Sequence, residues 1–282
     1  MSVRGLLCDL DGVVYRGAEA CPGAVEGITG AREAGVRVLF MTNNASRTPQ
    51  DVADQLAGLG LPTEPQDVIT AAQVAAGVLR DQVGRGDIGL GAPGTTVLAV
   101  GGEGVGAALA EAGIGFHTAE QVLAAHEKAE PLQVAVVVQG YGKEVSTVSL
   151  TEAVYAIRAG AAWIATNDDA TIPTPRGLGI GNGSLVAAVA HATGARPQVV
   201  GKPHAAAYEQ AMRRLGLPAQ ECLMIGDRLD TDIAGAVRAG LPSALVLTGV
   251  SGEDDVAAAP AEQRPDHVAA TIPDLEALWL TN

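Results

Sequence analysis

The sequence predicts an α/β protein: a Rossmann-like core with a parallel sheet, built from both ends of the chain, and an inserted α/β domain between them. Three observations carry this. Short apolar runs alternate with helix-period segments almost throughout, the pattern of βα units and a parallel sheet. A glycine-rich stretch, Val83 to Gly94, interrupts the alternation and reads as a linker. The 282 residues, 48% of them hydrophobic, suffice for two cores. The expected boundaries are 1–82 and 191–282 for the core and 83–190 for the insertion. Aromatics are only 3%, so both cores must be built from Ala, Val, Leu and Ile.

The elements follow in order. Leu6 to Val13 opens as a buried strand and turns at Gly12. Val36 to Met41 is a second strand. Thr48-Pro49 supplies a cap and a first-turn proline, and Val52, Leu56 and Leu59 fall on one helical face before Gly60 closes it. Thr70 caps a helix from about Ala71 to Gln82. Beyond the linker come a strand at Thr96 to Val100, a helix near Val105 to Ala112, a strand at Val134 to Val138, a helix about Thr147 to Ala159 and a strand at Ala162 to Ala165. Asn167 to Asn182, rich in Gly, Pro, Asp and Thr, reads as a loop. Strands near Val199, at Leu223 to Ile225 and at Ala244 to Leu247 then resume the style of the first block. The helices between them carry Tyr208, Met212 and Leu215, then Ile233 and Val237.

Bulk properties exclude several functions. With 18 Lys and Arg against 32 Asp and Glu, the formal charge is −14, which repels nucleic acid and anionic membranes. A phosphorylated ligand must therefore be drawn in by a local site. No apolar run approaches the roughly 20 residues of a membrane span, and no signal peptide precedes the first strand. The three cysteines, Cys8, Cys21 and Cys222, have no metal-type spacing, and their odd number suits a reducing compartment. A cytoplasmic protein is the expectation. Cys8 is either a buried small hydrophobe or, beside Asp9, a nucleophile without a basic neighbour to activate it. The run Gly101 to Gly106 reads as a tight strand-to-helix turn or as a nucleotide loop.

Four strand ends carry chemistry. The first delivers two carboxylates, Asp9 and Asp11, with Gly12 behind them. Two acids so close repel each other and call for a cation or a proton, and Mg²⁺ favours such hard oxygen donors. The second is Thr42-Asn43-Asn44, either an Asn-rich turn or a hydroxyl and backbone N–H set for a phosphate oxygen. The third is Gly201-Lys202-Pro203, where the lysine is a surface charge or a phosphate counter-ion. The fourth runs Gly226-Asp227-Arg228-Leu229-Asp230-Thr231-Asp232. Asp232 can be an acidic helix-start residue, whereas Asp227 closes an apolar strand. In a parallel α/β sheet, ligands sit beyond the carboxyl ends of the strands.

Taken together, Asp9-Leu10-Asp11-Gly12-Val13, Thr42-Asn43-Asn44, Val200-Gly201-Lys202-Pro203 and Gly226 to Asp232 resemble the haloacid dehalogenase superfamily of phosphatases. Ile164 to Asp168, Gly181 to Leu185 and Leu247 to Val250 are similar to its branch with a large type-II cap, the NagD, 4-nitrophenylphosphatase and phosphoglycolate phosphatase-like enzymes. One departure is Gly-Leu-Gly-Ile-Gly at 177–181, where relatives often carry a proline before the final glycine. The resemblance implies a Mg²⁺-dependent phosphomonoester hydrolase for a small phosphorylated metabolite, with the inserted domain as a cap that selects the substrate. It implies Asp9 as nucleophile forming an aspartyl-phosphate, Asp11 as acid and base, and Asp9, Asp11 and Asp227 as metal ligands. Thr42, Asn43 and Lys202 would hold the phosphate, with Asp232 behind them orienting water or Lys202. Asn167 and Asp168 are candidate cap contacts, as is Arg176, and a homodimer is compatible with caps of this type. The rival readings are a phosphoacceptor signalling module and a phosphotransferase built on the same acidic Mg²⁺ site.

Overall fold

The computed structural model describes residues 3–92, 94–174 and 176–280. It forms two compact units. The first comprises Met1–Thr42, Pro49–Ile69 and Lys202–Asn282; the second comprises Asn43–Thr48 and Thr70–Gly201.

The first unit is organised on a six-stranded sheet. Its order is His267–Ala269, Ser243–Val246, Cys222–Gly226, Gly5–Asp9, Arg37–Thr42 and Val68–Thr70. Gly5–Asp9 is central and pairs in parallel with strands on both sides, Cys8 opposite both Ile225 and Phe40. A strand covered on both faces reads as a continuous apolar run, because both side-chain directions lead into packed interior. Leu6, Leu7 and Cys8 are accordingly all fully buried. Leu6, Cys8, Phe40, Leu223 and Ile225 share one core with Ile28, Leu56 and Trp279. The helix Ala205–Leu215 turns Ala207, Tyr208, Ala211 and Leu215 inward, on a period of three and four. A short hairpin, Tyr15–Arg16 with Glu19–Ala20, follows the first strand.

The second unit has a five-stranded sheet ordered Gln198–Val199, Ala162–Ala165, Gln133–Gln139, Thr95–Val100 and Phe116–Thr118, with parallel pairings. Leu98, Val137, Trp163 and Val189 anchor its core. The units change over at residues 42/43, 48/49, 69/70 and 201/202, not at the expected 82/83 and 190/191. The helix Ala71–Arg85 explains the difference. It packs against the helix Glu103–Glu111, Gln73 Nε2 donates to Glu111 Oε2 at 2.8 Å, and Gln82 Nε2 donates to Gln198 Oε1 at 2.8 Å. The glycine-rich stretch, whose first three residues end this helix, therefore lies inside the second unit. The segment 167–182, expected as a loop, contains an antiparallel hairpin, Thr171–Thr174 with Gly177–Ile180. Its strands escaped the pattern because Leu178 and Ile180 are exposed and alternate with glycines.

The Gly101–Gly106 run resolves as a turn shaped by packing. A Cβ on Gly102 would crowd the backbone of Ser46, and one on Gly104 the carbonyls of Ala45 and Arg47. These glycines let the 43–48 segment approach the start of the helix Glu103–Glu111.

Candidate active site

Parallel pairing sets the carboxyl ends of three adjacent strands side by side. Gly5–Asp9 ends on Asp9, Arg37–Thr42 ends on Thr42, and Cys222–Gly226 runs directly into Asp227. Lys202 stands in the turn before the helix Ala205–Leu215, and its peptide to Pro203 is cis. Asp232 arrives on a single wide turn, Leu229–Ile233, whose hydrogen bonds span five residues. It is not at a helix start, since the α-helix begins at Ala234.

These side chains form one buried cluster. Lys202 Nζ donates to Asp9 Oδ1 at 2.5 Å and to Asp232 Oδ1 at 2.7 Å. The other oxygen of Asp232 accepts the Arg228 N–H at 3.2 Å. Asp9, Asp227 and Asp232 each place a carboxylate oxygen within 4.8 Å of the others. Burial raises all three acids to about 6. The charge of Lys202 opposes the shift at Asp9 and Asp232, and the negative charge of Asp232 adds to it at Asp227. Burial would lower the Lys202 pKa, but Asp232 and Asp9 outweigh it and hold the amine charged, above its ordinary value. Lys202 is thus a committed cation and not a surface lysine.

One ammonium cannot neutralise three carboxylates, and the remaining demand falls on Asp227. Its Oδ2 accepts the Val250 N–H at 2.8 Å. Its Oδ1 is buried with no hydrogen-bond partner among the described residues. An orphaned buried carboxylate oxygen beside two further acids is the donor chemistry of a hard divalent cation. Two glycines make this approach possible. A Cβ on Gly12, at φ +85°, or on Gly249 would strike the Asp227 carboxylate.

Asp11 lies exposed in the turn after Asp9, its backbone bridged to Tyr15. Thr42 is buried at its strand end. Asn43 lies in the second unit, where its Nδ2 donates to Asp169 Oδ2 at 3.1 Å. Asn167 is buried there too, donating to the Asn43 carbonyl at 2.6 Å. Asp168 and Arg176 are exposed. Cys8 is ruled out as a nucleophile by burial, which pushes its thiol up to about 12.

Two groups escaped the sequence reading. Tyr208, read only as a helix-face residue, donates its buried hydroxyl to the carbonyls of Thr231 and Asp232 at 3.0 and 3.1 Å, holding the wide turn. Arg16 reaches the carbonyls of Thr248 and Gly249. No local pattern announces a contact across more than two hundred residues.

Comparison with known proteins agrees with this geometry. The family model of haloacid dehalogenase-like hydrolases matches residues 6–115, and a second HAD-hydrolase-like model matches residues 199–275. The chain belongs to the haloacid dehalogenase-like hydrolases. Within them it falls in the branch of the NagD-like and 4-nitrophenylphosphatase enzymes. It is 42% identical to the D-glycerol 3-phosphate phosphatase of Mycobacterium tuberculosis, over 96% of this chain and 70% of the relative. It is 38% identical to a 5'-nucleotidase of Bacillus subtilis, over 88% of each chain. The crystal structure of the Mycobacterium tuberculosis glycerol phosphate phosphatase in complex with magnesium superposes with a TM-score of 0.84, covering 97% of this chain and 76% of that one.

Proposed function

We propose that the protein is a Mg²⁺-dependent phosphomonoester hydrolase for small phosphorylated metabolites, working through an aspartyl-phosphate on Asp9. The observation that supports this best is the buried Asp9–Lys202–Asp232 arrangement beside an Asp227 Oδ1 that has no hydrogen-bond partner among the described residues.

Asp9 and Asp227, with the Asp11 backbone carbonyl, would hold Mg²⁺. Bound there, the ion supplies positive charge that relieves repulsion between an anionic nucleophile and an anionic phosphate. In this reading an Asp9 oxygen attacks phosphorus, and the bond from phosphorus to the leaving oxygen breaks as Asp11 protonates that oxygen. Asp11, now ionised, takes a proton from water, whose oxygen attacks phosphorus and frees Asp9. Lys202 and Thr42 grip the equatorial oxygens as charge redistributes. Asp232 orients Lys202.

The second unit is the cap that selects the leaving group, and the reading places the enzyme in the cytoplasm. The relatives favour glycerol phosphate as the first substrate to try, followed by nucleoside 5'-monophosphates and sugar phosphates. The test is phosphate release from that panel and from 4-nitrophenyl phosphate, in Mg²⁺ and in EDTA. Metal-dependent release is expected, and the highest kcat/KM names the substrate class. No release, with a long-lived phosphorylated Asp9, would favour a phosphotransfer or signalling role.

A further inference from the structure

The segment Thr248–Ser251 supports Asp227, and the first unit grips it from several sides. Val250 N–H donates to Asp227 Oδ2 at 2.8 Å, and Ser251 N–H to the Asp227 carbonyl at 3.0 Å. Thr248 Oγ1 donates to the Gly12 carbonyl at 2.7 Å. Arg16 closes the outer side, with Nη2 donating to the carbonyl of Thr248 and, at 3.2 Å, to that of Gly249. The arm that delivers Arg16 is itself held. Its strand pairs with Glu19–Ala20, and Gln55 Nε2 donates to the Gly17 carbonyl in the turn at 3.0 Å.

We propose that Arg16 is a positioning residue for the metal site: it latches the hairpin to the Thr248–Gly249 carbonyls and so fixes the N–H of Val250 on one oxygen of Asp227, leaving the other for Mg²⁺. This rests on the reading of a Mg²⁺-dependent phosphatase. Two effects of Arg16 oppose each other. Its positive charge repels Mg²⁺, so losing it would tighten binding. Its grip orders the loop, so losing it would weaken binding. The guanidinium is exposed and its charge is screened by water and salt, whereas the loop acts on a nearly fully buried ligand. Positioning wins, as it does for groups that orient metal ligands elsewhere.

The experiment is calorimetric titration of Mg²⁺ into wild type, Arg16→Met, Arg16→Lys and Arg4→Met. Arg4 precedes the amino end of the strand that carries Asp9 at its carboxyl end, so Arg4→Met removes the same charge far from the metal. Arg16→Met is expected to bind Mg²⁺ about tenfold more weakly, the lower end of the range for residues behind metal ligands. Arg16→Lys should fall between, and Arg4→Met should match wild type. Equal or tighter binding by Arg16→Met overturns the proposal. Should that variant not fold, unchanged binding by Arg16→Lys does so. A wild type that takes up no Mg²⁺ overturns the phosphatase reading and this inference together.

Discussion

The Lys202 ammonium lies 2.5 Å from a carboxylate oxygen of Asp9, and both groups are buried. The pair joins residues nearly two hundred positions apart, at the end of the first strand and in the turn before the helix Ala205–Leu215. With Asp232 at 2.7 Å on its other side, the lysine holds together charges that would otherwise drive the pocket apart. Function and stability therefore pull in different directions at Asp9 and in the same direction at Lys202.

Asp9→Asn should separate the two. Removing one of three crowded carboxylates relieves repulsion, and Lys202 keeps Asp232 as a partner. Thermal unfolding should occur at or above the wild-type midpoint, the usual exchange at a strained catalytic site. Turnover should fall by several orders of magnitude, because an amide cannot serve as the nucleophile. Activity above a few per cent, with deamidation excluded by mass spectrometry, would remove Asp9 from that role.

Lys202→Met should do the opposite to stability. It leaves Asp9 and Asp232 buried without their cation, and breaking a buried pair from one side costs about 3–5 kcal/mol. The penalty depends on pH. At pH 5 the carboxylates, already raised to about 6 beside the lysine, can take up protons and lose their charge. At pH 8 they cannot do so without a further large shift. Urea midpoints in EDTA should therefore show a larger loss at pH 8 than at pH 5. An equal loss at both would mean that packing of the lysine stem, not its charge, is what the site needs.

Metal binding should follow the same acids. Without metal, Asp9 and Asp227 hold protons in the folded state up to about pH 6, well above their ordinary value of 3.8. Between those values the folded state binds more protons than the unfolded chain. These groups' contribution to stability is thus complete below 3.8 and is lost as pH rises through about 6. Mg²⁺ must displace those protons at low pH and meets bare carboxylates at high pH. The rise in melting temperature caused by Mg²⁺ should be small at pH 5 and large at pH 7.5. A rise independent of pH would place the ion elsewhere.

How much of this the sequence discloses depends on distance along the chain. Asp9 and Asp227 announce themselves because each follows an apolar run that had to be a strand, and a strand end in a parallel sheet is where ligands bind. Lys202 is less legible, because the strand before it, Gln198–Val199, belongs to the second unit's sheet. The Asp227 environment is not legible in that way. It depends on Val250, Gly249 and Arg16, joined only when the 248–251 segment folds back on the first turn. The boundary between units was hidden for a similar reason. Glycine marks where a chain can bend, while the buried face of the helix Ala71–Arg85 decides which core it joins. The wide turn at Leu229–Ile233 is hidden likewise, because Asp232 has the residue type of a plain helix start.

Tyr208→Phe tests how that wide turn is held. The hydroxyl is fully buried and donates to two carbonyls, those of Thr231 and Asp232. Burial, with the negative charge of Asp232 adding to it, keeps the phenol well above its ordinary pKa, so it remains a donor at every working pH. Deleting it removes a donor from carbonyls that water cannot easily reach, at a cost of about 1–3 kcal/mol. The ring still fills the space against Gly235, so the fold should survive. Because Asp232 rides on this turn and orients Lys202, loosening it should lower kcat and raise KM together several-fold, while Mg²⁺ affinity changes little. A stability loss with unchanged kinetics would confine Tyr208 to the core. A loss of Mg²⁺ affinity instead would make Asp232 a ligand of the ion and not the orienter of Lys202.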